Sequence, residues 1–340
     1  MAKRAIFDKK NILVTGGAGF LGSHLCDRLV KDSKVICVDN FLTGDQKNID
    51  HLLKNPNFVF IKADINEVLD LEAYPELQPF KIQFQGVQEI YNLACPMSPS
   101  QFDKNKVSNL LTNSAGVKNM LDLAIKYSAK FIHFSSSVVY GPRRDDNQKI
   151  TEIDFGIVNP VSERSSYDEG KRFAESMVIN YRDVHNLDTR IARIFRAYGP
   201  RMKLGEQHMI PDFVSNALDN KDVVIFGDKD FSSSLCYVED VIDGIIKLAD
   251  SNIKDPVNIG ADLDENLTTV AQKIIQLTES KSKVKYQKEV VFMTPLMIPN
   301  IEKAKTELSW MPVTTLDQGL QKTVDYLRAS KGLLSVKSVK

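Results

Sequence analysis

The segment Ile12-Leu13-Val14-Thr15-Gly16-Gly17-Ala18-Gly19-Phe20-Leu21-Gly22, followed by Val35-Ile36-Cys37-Val38-Asp39, constrains this chain more than any other. An apolar run, glycines spaced G-x-x-G-x-x-G, a helical stretch and a second apolar run ending in an acid read as strand, phosphate loop, helix, strand. Gly16 permits the tight turn out of the strand, Gly19 lets the backbone approach a pyrophosphate, and Gly22 lets the helix pack close to the sheet. The N–H groups of the helix N-terminus then face the phosphates. Asp39 accepts hydrogen bonds from ribose hydroxyls and repels a 2′-phosphate, so the expected cofactor is NAD rather than NADP.

Further apolar runs recur at Phe58–Lys62, Glu89–Ala94, Lys130–Ser135 and Thr189–Ile194, with helical patterns between several of them. Continuous rather than alternating apolar strands separated by helices imply a parallel sheet covered on both faces. The expected fold class is α/β, a doubly wound Rossmann sheet with a smaller mixed substrate-binding lobe. Residues 65–88 interrupt this rhythm with Pro75, Pro79 and Gly86 and read as an irregular insertion. After Tyr198-Gly199-Pro200 the pattern becomes short and Pro-punctuated. The expected division is residues 1–198 plus about 235–260 for the cofactor domain, about 199–234 plus 261–328 for the second lobe, and 329–340 for a flexible tail.

With 340 residues, 43% of them hydrophobic, the chain can bury a large core. Lys plus Arg and Asp plus Glu both total 44, so no global field favours nucleic acid or an anionic membrane. Cys26, Cys37, Cys95 and Cys236 form no C-x-x-C pair and read as packing thiols in a reducing compartment. The five histidines lack ligand spacing, and no metal is expected. Met1–Lys10 is basic without the apolar core of a signal peptide, and no run is long enough to span a bilayer, so the expected location is the cytoplasm.

The chemistry centres on Ser166-Tyr167-Asp168-Glu169-Gly170-Lys171, where four-residue spacing puts Tyr167 and Lys171 on one helix face. Of ten tyrosines only Tyr167 has a lysine four residues later. A phenol is a poor base at neutral pH, but a neighbouring ammonium and a nicotinamide cation favour its phenolate. Tyr167 can then take a proton from a sugar or alcohol hydroxyl while hydride leaves the same carbon. Ser136, with Ser137 beside it, ends a strand and can orient that hydroxyl.

Together these residues resemble the extended short-chain dehydrogenase/reductase family, the NAD-dependent epimerases, dehydratases and decarboxylases of nucleotide sugars. The similarity runs from about Lys10 to about Leu327. Within the family, Val38-Asp39-Asn40-Phe41-Leu42-Thr43-Gly44, Tyr91-Asn92-Leu93-Ala94-Cys95-Pro96-Met97-Ser98-Pro99, the Tyr167–Arg172 segment and Ala192–Met202 look most like UDP-glucuronate decarboxylase. The resemblance implies cofactor contacts at Gly16, Gly19, Phe20, Leu21, Gly22, Asp39, Asn40, Thr43, Gly44, Asp64, Ile65, Leu93, Ala94, Tyr167 and Lys171. It implies a nucleotide-sugar substrate, UDP-linked, near Pro96, Arg164, Arg196 and Arg201. It also implies a homodimer formed through helices at about Thr112–Tyr127 and Tyr167–His185.

Three departures narrow the chemistry. Val138 stands where the decarboxylases carry a catalytic Glu, Ser233 where they carry an Arg, and Arg196 where many relatives carry an Asn. With Ser137 and Val138 in place of an Asp–Glu pair, 4,6-dehydration is not expected. C4 epimerisation needs only oxidation, rotation of the keto-sugar and hydride return, which Ser136, Tyr167, Lys171 and NAD can supply, so it is the best chemical fit. Arg196 is a candidate partner for a phosphate or a sugar carboxylate. The alternatives are a UDP-glucuronate decarboxylase forming UDP-xylose or a 4-keto-pentose, an NAD-dependent sugar dehydrogenase, and a catalytically silent nucleotide-sugar sensor.

Overall fold

The computed structural model describes residues 9–144, 149–288 and 295–337; most of the basic segment Met1–Lys10 therefore lies outside the described residues. Seven parallel strands form the central sheet: β1 (Asn11–Thr15), β2 (Lys34–Asp39), β3 (Phe58–Lys62), β4 (Glu89–Asn92), β5 (Lys130–Ser136), β6 (Thr189–Ile194) and β7 (Val257–Ile259). Their order is β7-β6-β5-β4-β1-β2-β3. The order reverses between β1 and β4, the crevice where open α/β sheets bind ligands.

Both faces of the sheet are apolar, as the continuous strand pattern requires. Ile12 and Val14 join one core cluster while Leu13 joins the other, and Val35 and Cys37 likewise face away from Ile36 and Val38. Helix α1 (Phe20–Leu29) lies on the first face. On the second lie α2 (Phe102–Leu111), which passes through a π-helical turn at Thr112–Gly116 into α3 (Val117–Tyr127), and α4 (Ser165–His185). Where residues 65–88 break the pattern, the chain makes only short 3₁₀ turns, at Leu71–Ala73 and Pro75–Phe80, and one helical turn, Ile82–Gln85.

Beyond β6 come α5 (Met209–Leu218), α6 (Val238–Asp250), α7 (Leu267–Leu277), α8 (Glu302–Leu308) and α9 (Leu316–Lys337). Between them, two-stranded pairs join Val223–Phe226 to Val284–Gln287 and Ser232–Ser233 to Glu265–Asn266. Their buried side chains, among them Phe213, Ile274, Trp310 and Val324, belong to the same apolar cluster as Ile12 and Val14.

Two expectations are corrected. The strand predicted as Glu89–Ala94 ends at Asn92: the Leu93 N–H is shared between the Thr15 carbonyl and hydroxyl, each at 3.2 Å, and the Ala94 N–H turns to that hydroxyl at 3.3 Å. The tail predicted from residue 329 is helical as far as Lys337, the last described residue. Lys331 ties it to α5, its Nζ donating to the Ser215 carbonyl at 2.9 Å and meeting Asp219 at 2.8 Å. Among the described residues no helix is long and apolar enough to cross a membrane.

Candidate active site

The turn from β1 into α1 is built on glycine where geometry demands it. Gly16 has φ +69° and donates its N–H to the Val38 carbonyl at 2.8 Å, and a Cβ there would sit 2.9 Å from the Ala94 backbone. A Cβ at Gly22 would lie 2.2 Å from the Gly16 carbonyl oxygen. Gly19, the N-cap of α1, has only that same oxygen nearby, at 3.1 Å, and no side chain caps the helix. The free N–H groups of the first turn are left to an anion.

Asp39, at the end of β2, is buried. Its carboxylate accepts from Ala18 N at 3.0 Å and Phe41 N at 2.8 Å. Burial raises its pKa, and the two N–H donors partly offset that rise. Gly44 packs directly on this carboxylate, where a Cβ would meet it at 2.9 Å. An acid with unused acceptor capacity beside an open glycine cradle suits the diol of NAD and opposes a 2′-phosphate. Asn40 Nδ2 donates to Asp64 Oδ2 at 3.0 Å, joining the ends of β2 and β3.

At the end of β5, Ser136 caps the 3₁₀ turn Ser137–Tyr140, its hydroxyl accepting from Val138 N at 3.4 Å. The Tyr167 phenol on α4 lies near enough to Ser136 for that hydroxyl to favour its phenolate. One turn on, the buried Lys171 donates to the Phe134 carbonyl at 2.7 Å. Burial holds the Tyr167 pKa well above the phenol range, Cys95 adds to the rise, and the Ser136 hydroxyl opposes it.

These groups share one cavity of about 880 Å³, lined by the glycine turn, the ends of β2, β3 and β4, the Ser136–Tyr167–Lys171 cluster and the segment after β6. Every cofactor, substrate and catalytic position expected from sequence is on its wall, but the three arginines differ in what they can offer. Arg201 is bound to Asp27 of α1 at 2.6 Å, and Arg164 pairs with Asp168 at 3.1 Å. Arg196 contacts the Met209 sulfur at 3.3 Å and has no carboxylate partner among the described residues. Burial, then Arg164 and Arg143, push its pKa down to about 10, so it remains a cation in need of an anion. Pro96 is buried, and its carbonyl accepts from Asn109 at 3.4 Å.

Sequence reasoning missed two residues here. His208, just before α5, lines the cavity near Arg196; burial brings its pKa to about 4, so the imidazole is neutral at pH 7. Glu206 joins two cavity walls through Ser98 and Ser100. Neither belongs to a motif that spacing alone reveals. The remaining signal is their place in the segment following Tyr198-Gly199-Pro200-Arg201. Among the described lining residues the carboxylates are Asp39, Asp45 and Asp64, all near the ends of β2 and β3, while Val138 and Ser137 line the end near Tyr167.

The family described as the NAD dependent epimerase/dehydratase family matches residues 12–260. UDP-glucuronic acid decarboxylase 1 of Xenopus tropicalis is 37% identical over 322 residues, covering 94% of this chain and 73% of that protein. The Arabidopsis thaliana protein of the same name is 36% identical over 318 residues, covering 93% and 69%. Among solved structures, UDP-glucose 4-epimerase from Thermotoga maritima with UDP-glucose superposes with a TM-score of 0.83 at 26% identity, covering 94% of this chain and 99% of that one. UDP-glucuronic acid 4-epimerase from Bacillus cereus, in complex with UDP-glucuronic acid and NAD, gives 0.81 at 26% identity with the same coverage.

Proposed function

Because the chain belongs to the NAD-dependent epimerase/dehydratase family, we propose that it is a UDP-sugar 4-epimerase acting on a sugar that carries a carboxylate. NAD is the cofactor of this enzyme family; when bound it accepts a hydride from C4 and returns it to either face of the keto-sugar. The residues of the chain do the rest. Ser136 orients the C4 hydroxyl, Tyr167 takes its proton and later gives it back, and Lys171 braces the phenol's helix against the end of β5 through Phe134. Asp39 and the glycine turn hold the cofactor, and Arg196 holds the substrate anion.

The observation that carries this reading is the distribution of acids in the cavity. Decarboxylation ends with protonation at C5, and dehydration needs an acid to protonate the leaving hydroxyl. At the Tyr167 end the described lining offers Val138 and Ser137, and its carboxylates all belong to the cofactor end. Epimerisation requires no such acid. On this reading residues 1–198 with about 235–260 form the cofactor side, and 199–234 with 261–328 the sugar side. The four free cysteines suit a cytoplasmic, reducing setting, and the enzyme works as a homodimer.

The named relatives support a second reading, decarboxylation of UDP-glucuronate, since a 4-keto uronate is a β-keto acid that loses carbon dioxide without a strong acid. Incubation of the enzyme with UDP-glucuronate and NAD, followed by mass spectrometry and chromatography, separates the two. A product of unchanged mass and altered retention is expected. Loss of carbon dioxide would replace epimerisation with decarboxylation, and no conversion of any UDP-sugar would leave a sensor. Arg196→Ala is expected to weaken UDP-glucuronate binding about tenfold or more, the effect of losing one charge-assisted hydrogen-bonded pair.

A further inference from the structure

We propose that Glu206 is a clasp that holds the cavity closed over its ligand, and so a positioning residue for retention of the oxidised sugar. The cavity has two facing walls. One is the loop after β4, which contributes Leu93–Met97 and Pro99. The other is the segment between Tyr198 and α5, which contributes Arg201–Leu204, Gln207 and His208. The carboxylate of Glu206 bridges them, one oxygen accepting from the Ser98 hydroxyl and from the Ser100 hydroxyl at 2.7 Å. Its other oxygen lies 3.0 Å from Lys203 Nζ.

Burial alone would push this carboxyl up, but hydrogen bonds from Ser100 and Lys203 hold its pKa below the usual value, so the clasp is anionic. Ser98 and Glu206 are buried while Ser100, Lys203 and Gln207 are exposed, which puts the bridge at the rim. The segment carrying Glu206 is tightly wound. Arg201 and Gln207 have φ of +69° and +61°, and Gly205 has +72°. Non-glycine residues keep such conformations only where contacts hold them. At the far end the segment is anchored to α1, by Arg201 to Asp27 and by His24 to the Pro200 carbonyl at 3.1 Å. At the rim Glu206 supplies the bonds across to the opposing wall.

The consequence rests on the C4 reading. A keto-sugar formed by hydride loss is held without a covalent bond, and it must stay until the hydride comes back. A cavity cross-linked at its rim keeps it there; an open one lets it escape.

Cys95 provides a readout that does not depend on catalysis. It lies in the same loop, lines the cavity, and is the one cysteine of the four that is not buried. Iodoacetamide labelling of Cys95, followed by mass spectrometry, is measured in Glu206→Ala and, from the other wall, in Ser98→Ala/Ser100→Ala. Labelling about tenfold faster is expected in each, as for loss of a charge-assisted hydrogen bond. Combining the substitutions should add little more, because all three residues form one bridge. With UDP-glucuronate, free 4-keto sugar should appear in solution. Unchanged labelling in the variants overturns the clasp whatever the chemistry. Faster labelling in variants of an enzyme that converts no UDP-sugar supports the clasp and counts against the C4 reading alone. If Glu206→Ala does not fold, the serine variant decides.

Discussion

Tyr167 meets the cavity as a neutral phenol, and that fact sets the pH dependence of any reaction in which it is the base. Burial and Cys95 raise its pKa, and the Ser136 hydroxyl only partly opposes them. The active phenolate is then a minor fraction at pH 7, and that fraction grows as pH rises. The rate of C4 oxidation should therefore increase from pH 6 towards 9 with no acid-side optimum. Tyr167→Phe should lower kcat by roughly 10²–10⁴-fold with little change in UDP-glucuronate affinity, as measured by turnover and calorimetry. A flat pH profile would assign the proton transfer elsewhere. The placement of Tyr167 and Lys171 together on the cavity wall was legible in the sequence because a helix turns a four-residue spacing into proximity. The partner of Lys171 was not, since the Phe134 carbonyl that accepts its hydrogen bond is contributed by a strand far away in sequence. His208 and Glu206 stayed hidden for the same reason: each acts across chain segments that share no local pattern.

At the scale of elements, periodicity located the strands well, since burial on both faces leaves an apolar run that ends where the backbone finds another partner. It could not explain the segment between the Ser137–Tyr140 turn and α4. There a Cβ on Gly156 would sit 1.8 Å from the Val139 carbonyl oxygen, and one on Gly141 would sit 2.0 Å from that of Ile157. Arg172 of α4 closes the contact, reaching the carbonyls of Val139 at 3.0 Å and Gly156 at 3.3 Å. The backbone of residues 156–157 thus braces the turn that carries Ser137 and Val138. Gly156→Ala forces these strands of chain apart and should cost about 1–3 kcal/mol of stability, the usual range for overpacking. Urea denaturation reads that loss, and kcat should fall with it because the turn beginning at Ser137 shifts. Unchanged stability would mean that the strap yields without disturbing the turn.

At the scale of the whole molecule, exposed apolar side chains gather on two neighbouring helices among the described residues. Val107, Leu110 and Leu111 on α2 are 68%, 46% and 48% exposed, and Phe173 on the neighbouring α4 is 52% exposed. Scattered apolar residues on a surface mean little, whereas several on two adjacent helices mark an interaction surface. A second copy related by a two-fold axis can cover its own counterpart with the same residues. Two helices from each subunit would then pack as a bundle. The sequence pointed to α4 and to residues 112–127; exposed apolar side chains sit on α4, at Phe173 and Val184, and also on α2, before the π-helical turn at Thr112–Gly116. Helical periodicity could not separate an outward apolar stripe from an inward one, because both recur at the same spacing. Since α4 also carries Tyr167 and Lys171, covering it stiffens the catalytic helix. Light scattering should find a dimer at micromolar concentration, and Val107→Glu/Leu111→Glu should shift it to a monomer that retains its circular dichroism but turns over more slowly. A wild-type chain that stays monomeric as concentration rises would remove the dimer, and a monomeric variant with full activity would uncouple it from the site.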